Sequence, residues 1–503
     1  MDYCHPSRRG RAAAALLLAV ALGAGSGCAS TGPGTPAAAR LLDPGDLAPG
    51  RDLAEAELSG RWPDAEWWRD YRDPQLDALV GEALARSPRL AVAAARIRQA
   101  ESLAGVARAA TLPSAQLAGA ATRTRLSAAH GVPPPVGGSW QWNAALDVGL
   151  SYELDLWGRH RSALAGALDG VQVAAYEARA ARLALVGALV RAYSELALQL
   201  ELRGSAEAVL ADHERTREVA RRRVAAGIGT ELAVRQSETE IATTRAELER
   251  LDARATALRH QLAALTGAGP GAGDGIRRPA LRLEGVEALP SRLPAELVGR
   301  RPDVLASRWR VEGAARGIDV ARAAFYPNVD LAAFAGLLSF GFSRLFTADA
   351  VEAGAGPALS LPLFEGGRLR AGLEGSTADY DAAVGEYDAT VVDAVADVVD
   401  QIAALRSLRR EQAERQVAVA SAERAHALAQ EAYRAGIGDY LDTLQTEVAL
   451  QAQRDVIARI RFAQLATRAA LNQALGGGAP DAAPPLAAAL PAREGPRARR
   501  PHP

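Results

Sequence analysis

The sequence predicts a mainly α-helical protein that carries two β-hairpins and is built as two copies of one unit. Three observations predict it. The chain repeats itself: Ala226-Gly227-Ile228-Gly229 opens residues 230–265, and Ala435-Gly436-Ile437-Gly438 opens residues 439–475. At that shift of 209, Leu232 falls on Leu441, Gln236 on Gln445, Glu238 on Glu447, Leu262 on Leu471 and Gly267 on Gly476. Earlier in each half, residues 87–113 overlay 301–327 at a shift of 214, matching Arg96 to Arg310 and Arg108 to Arg322. The second observation is length: residues 159–226 and 368–434 are Pro-free stretches of 68 and 67 residues. At about 1.5 Å per residue each would reach roughly 100 Å, a rod that no compact domain requires. The third is a two-residue apolar period just before each rod, the mark of strands with unlike faces.

The elements follow in order. Basic Arg8, Arg9 and Arg11 precede the apolar run 12–22 and the small residues 23–27, as in an export signal over residues 1–27. The run is too short to span a bilayer as a permanent helix. The approach to Cys28 resembles a bacterial lipoprotein signal, with Gly25 where an aliphatic residue is usual; the other reading is an ordinary signal peptide followed by an incidental Cys. Cys4 would leave with the signal, so the processed chain would hold one Cys and no internal disulfide. A Pro/Gly/Ala-rich tether then runs to about residue 61.

The first repeat is expected over residues 62–267. A helical run with one kink at Ser87-Pro88 covers residues 74–110, and Pro74 suits a first helical turn. In residues 143–154, Ala144, Leu146, Val148, Leu150, Tyr152 and Leu154 alternate with Asn143, Asp147, Gly149, Ser151 and Glu153. Residues 114–125 alternate more weakly, and the Pro- and Gly-rich stretch 126–139 joins the two into a hairpin near 114–155. The second repeat, over 291–476, offers Val329, Leu331, Ala333, Ala335 and Leu337 on one face and the Leu359, Leu361, Leu363 alternation, giving a hairpin near 327–364 with residues 340–356 as its loop. After the first tip, Val234, Ile241, Leu248, Leu251, Ala255, Leu258, Leu262 and Leu265 step in heptad fashion, so the helices pack as coiled coils. Glycines at the tips can take left-handed angles that end one helix, and Thr230 and Asp439 stand where they can cap the next. Residues 268–290 read as a connecting belt and 477–503 as a disordered tail.

Composition closes off other classes. With 58 basic against 59 acidic residues, nothing in the charge balance points to nucleic acid. The seven His residues are scattered, with neither a His-Glu-x-x-His helix nor a Cys pair to hold a metal. The Gly-rich stretch 267–273 lacks the Lys-Ser/Thr of a phosphate loop and reads as linker. No nucleophile constellation stands out. The expectation is a protein without cofactor, metal or enzymatic activity.

Several motifs resemble the bacterial outer-membrane efflux proteins, TolC-like channels, and within them the lipoprotein branch serving RND-type multidrug efflux. They are Asp73-Pro74-Gln75-Leu76 with Ala94-Ala95-Arg96-Ile97, the junctions Tyr152 through Arg159 and Leu361 through Arg368, and Tyr433-Arg434-Ala435-Gly436 with Leu441-Asp442-Thr443-Leu444. The likeness spans about residues 62–475. It implies a homotrimer in which three chains each give four strands to one twelve-stranded outer-membrane β-barrel, continued by a long periplasmic α-helical barrel. Independently, four strands cannot close a barrel, and lipid leaves open edges unsatisfied, so a membrane sheet of this size must oligomerise. Ala144, Leu146, Val148, Leu150, Val329 and Leu331 would then face lipid, Asn143, Asp147, Ser151, Glu153 and Asp330 water, and Trp140 and Trp142 a membrane boundary. On pattern alone the strands could equally be an ordinary soluble sheet.

The resemblance also implies partners: a periplasmic adaptor (membrane fusion) protein at the tips Gly227, Gly229, Gly436 and Gly438, and an inner-membrane pump of RND type. It places a periplasmic gate at Tyr433, Asp439, Asp442 and Gln445. Gly438 stands where some members hold an Arg and Gln445 where some hold a second Asp. Three copies of Asp442 would ring the opening with like charge, although Asp439 and Asp442 also suit a plain helix cap. The implied function is the outer-membrane channel of a tripartite efflux system for small molecules. The competing readings are an exit duct for polypeptides of a type I secretion system and a non-conducting periplasmic coiled-coil scaffold.

Overall fold

A computed structural model describes residues 40–43, 47, 62–127, 129, 133, 135–282 and 299–478. Cys28 and the signal, most of the tether, part of the belt and the tail lie outside the described residues. The chain holds seven long helices and four strands in the order α1 (Pro74–Arg86), α2 (Pro88–Ala109), β1 (Ser114–Arg125), β2 (Trp140–Leu154), α3 (Arg159–Ala225), α4 (Glu231–Leu265), α5 (Pro302–Ala323), β3 (Asn328–Phe340), β4 (Val351–Ser360), α6 (Arg368–Arg434) and α7 (Tyr440–Ala474) among the described residues. Two compact units form, one around the sheet (residues 97–173 and 308–386 of the described chain) and one around the helices (42–96, 174–307 and 387–478).

The sheet unit is a four-stranded antiparallel meander in the order β1-β2-β3-β4. Register assigns its faces. Leu117 opposes Val148 and Ala115 opposes Leu150; Leu146 opposes Leu337 and Val148 opposes Ala335; Leu337 opposes Val351 and Val329 opposes Leu359. One face therefore runs apolar across all four strands, interrupted by charge only at Arg123 and Arg125, which pair with Trp142 and Trp140. Leu117, Val148, Leu150, Val351 and Leu359 on it remain exposed in the single chain. The opposite face carries Gln116, Thr122, Asn143, Asp147, Glu153, Asp330 and Glu352, with Phe334, Leu338 and Phe340 among them. Below the sheet, the strand-to-helix junction is pinned by Asp155, whose carboxylate accepts from the His160 and Arg161 amides at 3.1 and 2.9 Å, and by Trp157, which stacks on Tyr326 at 4.6 Å and donates to the Pro327 carbonyl.

Two expectations need correction here. The final strand is Val351–Ser360, so the Leu361 and Leu363 alternation lies beyond it and the loop shrinks to residues 341–350. Val351, Ala353, Ala355, Pro357 and Leu359 do share the apolar face, but Ala and Gly side chains are too small for alternation to register as hydrophobic contrast. The run 74–110 is two helices, because Ser87 leaves helical geometry at φ −60°, ψ 122°, the extended conformation a following proline imposes.

In the helical unit, the core gathers Trp67, Tyr71, Leu76, Leu189, Tyr193, Leu196, Leu251, Leu262 and Ala469. Asp73 is its polar hub. It caps α1 through the Gln75 amide at 2.9 Å, accepts from Tyr193 Oη at 2.9 Å and from the Ala280 amide at 2.7 Å, and so joins α1, α3 and the belt. The repeat is visible in packing as well as order. Gly267 lies against the Arg86 carbonyl and Gly476 against the Arg300 carbonyl, where an added Cβ would sit 2.7 and 2.8 Å from oxygen. Both have positive φ, so each copy needs glycine for two reasons.

Candidate functional site

The candidate site is the pair of helical tips, both within the helical unit. The long helix α3 ends at Ala225 and α6 at Arg434, and the chain reverses in five residues each time. In the first tip the Gly227 amide donates to Val224 O at 2.9 Å and the Ile228 amide to Arg223 O at 3.0 Å. In the second, Gly436 donates to Tyr433 O at 3.1 Å and Ile437 to Ala432 O at 3.0 Å. Both are Schellman closures, which satisfy the last helical carbonyls and require a left-handed residue. Gly227 and Gly436 supply it at φ 75° and 77°. The second glycine of each tip is demanded by closeness: a Cβ on Gly229 would lie 2.8 Å from Arg223 Cβ, and one on Gly438 2.8 Å from Ala432 Cβ.

Thr230 and Asp439 occupy the N-cap positions of α4 and α7 in extended backbone, yet neither side chain accepts a cap hydrogen bond. The expectation that they cap by their side chains is therefore corrected. Asp439, Asp442 and Gln445 are all exposed, spaced by three along the first turns of α7. Among the described residues the Asp442 carboxylate enters no ion pair; its backbone carbonyl accepts from Thr446 Oγ1 at 2.8 Å. A carboxylate in the first turn gains from the helix dipole.

Tyr433 is not brought to these acids. Its ring lies 5.8 Å from that of Tyr440 and under the guanidinium of Arg223, 4.9 Å from the centroid, so the end of α6 is tied to the end of α3. Three further links join the α3–α4 hairpin to α7: Ser237 Oγ to Tyr440 Oη at 3.0 Å, Gln451 Nε2 to Ser205 Oγ at 2.7 Å, and His213 facing Glu447. Burial raises the Tyr440 phenol above its usual range.

Sequence reasoning passed over Arg223 and the isoleucines. Arg223 lies 210 residues from Tyr433 and carries no local signal. Ile228 and Ile437 were legible as repeated apolar residues inside glycine turns; they are 69% and 85% exposed, with Leu232 and Leu441 exposed one turn later. Each tip thus presents a small apolar knob to solvent.

Comparison with known proteins agrees with this geometry. The model of the outer membrane efflux protein family matches twice, over residues 79–268 and 293–477. Fusaric acid resistance protein FusA of Burkholderia cepacia is 43% identical over 380 residues, covering 74% of this chain and 70% of that protein. Multidrug resistance outer membrane protein MdtP of Escherichia coli K12 is 31% identical over 431 residues, covering 84% of this chain and 88% of that protein. Among solved structures, the outer membrane protein VceC of Vibrio cholerae aligns with TM-score 0.78 at 34% identity over 83% of this chain and 100% of its own. The outer-membrane channel OprN aligns with TM-score 0.76 at 26% identity over 88% of this chain and 98% of its own. Both neighbours are proteins of the outer membrane, OprN a channel by name, which fits a four-stranded sheet with one largely apolar face. The chain belongs to the outer membrane efflux protein family, as an efflux channel of the outer membrane whose helical part extends into the periplasm.

Proposed function

We propose that three copies of this chain form the exit duct of a three-part pump for small amphipathic molecules, with the glycine tips as its periplasmic mouth. The observation that carries the reading is the pair of equivalent tips, each ending a 67-residue helix in an exposed isoleucine. Three chains supply six such knobs, a repeating apolar surface suited to a periplasmic adaptor with matching hairpins. At the same mouth, three exposed Asp442 carboxylates would ring the opening and favour cations, with Tyr433 and Arg223 holding the two hairpins together when it is shut. Asp439 and Gln445 would flank that ring. Cys28 would carry a lipid anchor to the outer membrane. In the sheet, the apolar face meets lipid and the face with Asp147, Glu153 and Asp330 meets water.

Small-molecule cargo is favoured over polypeptides because curated relatives are named for fusaric acid resistance, multidrug resistance and pyoverdine export, all low-molecular-weight traffic. An inner-membrane pump, of RND type by the resemblance, would supply the energy. Deleting the locus should raise the accumulation of fluorescent dyes and antibiotics while leaving the secreted proteins intact. Unchanged accumulation together with a missing secreted protein would overturn the small-molecule reading.

A further inference from the structure

We propose that His213 and Glu447 form a one-proton site that ties α3 to α7 behind the second tip, and that loss of its proton loosens the α6–α7 tip. The packing alone defines the site; its effect on conduction rests on the gate reading above.

Two glutamates that the repeat makes equivalent meet opposite fates. Glu238 keeps two arginines, accepting from Arg221 at 2.9 Å and Arg235 at 2.9 Å, and the Arg221 hydrogen bond holds its carboxyl below the ordinary range. At the shift of 209, Arg221 is replaced by Gln430, which turns to His426 Nε2 at 2.8 Å. Glu447 is left without its guanidinium, on the wall of a cavity of about 530 Å³ between the helix ends. The arginines around that cavity are engaged elsewhere: Arg215 with Asp212, Arg454 with Glu423 at 2.8 Å, and Arg434 with Gln430 at 3.4 Å.

What faces Glu447 is His213 of α3, only 3% exposed, with Nδ1 at 3.8 Å from the carboxylate and no hydrogen-bond partner among the described residues. A buried orphan nitrogen of this kind is costly unless something satisfies it. A proton on Glu447 would do so, because a carboxylic acid can donate to neutral imidazole once the gap closes by about 1 Å. The remaining charged and titratable neighbours are Asp212 on α3, Glu240 on α4, His426 on α6, and Tyr440 and Arg454 on α7. Two of these, Asp212 and Glu240, are acids that oppose a second negative charge.

Burial, reinforced by Asp212 and Glu240, pushes Glu447 up to about 7. The sign follows: protonated Glu447 stabilises the packed helices fully below its ordinary 4.5, and that contribution is lost as pH rises through about 7. His213 acts oppositely. Burial lowers its pKa from 6.5, so its contribution is present above 6.5 and lost as pH falls through the lowered value. The pair titrates as a unit, with Glu447 setting the alkaline side.

The test places spin labels on Ala226→Cys and Ala435→Cys in the full-length protein in lipid vesicles and reads the distance between tips. In the wild type the distribution should broaden as pH rises through about 7, and Glu447→Gln should abolish that broadening. Infrared difference titration gives a second readout that does not depend on the labels: a protonated-carboxyl band that disappears near neutral pH and is absent from E447Q. A wild-type distribution that ignores pH, an E447Q variant that broadens like the wild type, or a band that persists in E447Q would each overturn the proposal. Conductance measured in parallel separates the readings, since pH-dependent broadening without any change in conductance upholds the site and sinks the gate.

Discussion

The two tips share a backbone and differ in charge. Each closes by the same pair of hydrogen bonds, with φ at the first glycine agreeing to 75° and 77°. Yet the first tip engages its acids in solvated ion pairs, Glu231 with Arg235 at 3.0 Å and Glu238 with Arg235 and Arg221, while the second leaves Asp442 exposed and free of any ion pair among the described residues. Position by position, Ala233 stands where the second copy has Asp442, and Val224 where it has Tyr433. Duplication kept what the turn geometry dictates and released what it does not. The first copy is braced by arginines, and on the gate reading proposed above the second is the part that responds.

The comparison can be broken first at its shared element. Gly229→Ala and Gly438→Ala each push a Cβ into the preceding helix and should cost about 1–3 kcal/mol of local stability, with equal loss of hydrogen-exchange protection in both tips. Unequal losses would mean that the tips are not mechanically alike. Next comes the strap between them: Arg223→Ala removes the cation–π contact with Tyr433, worth about 0.5–2 kcal/mol at this half-buried site, and should raise closed-state leak in planar bilayers. Leak equal to wild type would show that the contact does not hold the mouth shut. The smallest effect belongs to the first tip's surface charges. Arg235→Ala should change thermal stability by no more than about 0.2–1 kcal/mol, because its pairs with Glu231 and Glu238 are solvated, and a larger loss would show the first tip to be braced more by charge than by its turn.

Much of this architecture was legible because long-range order left local marks. The start of α6 at Arg368 and its end at Arg434 follow from a Pro-free run bounded by glycines, and the register of β2 from strict alternation. The strand β4 was not legible over Val351–Gly356, since residues without bulk carry no hydrophobic contrast even when they share a face with leucines. The site was half legible. The tip glycines announce themselves, whereas Glu238 and Glu447 look identical in the aligned repeats. What separates them is a neighbour from another helix, Arg221 in one case and His213 in the other, and His213 lies 234 residues from its partner. The first pairing closes within one hairpin, whereas the second arises from packing between hairpins, which no local window contains.

The most direct test of the account is ion selectivity and closed-state leak in planar bilayers for Asp442→Ala beside Glu231→Ala. If the mouth's charge lies on the second copy, D442A should raise leak and reduce the preference for cations, while E231A conducts like the wild type. Equal effects from the two substitutions, or none from D442A, would contradict it.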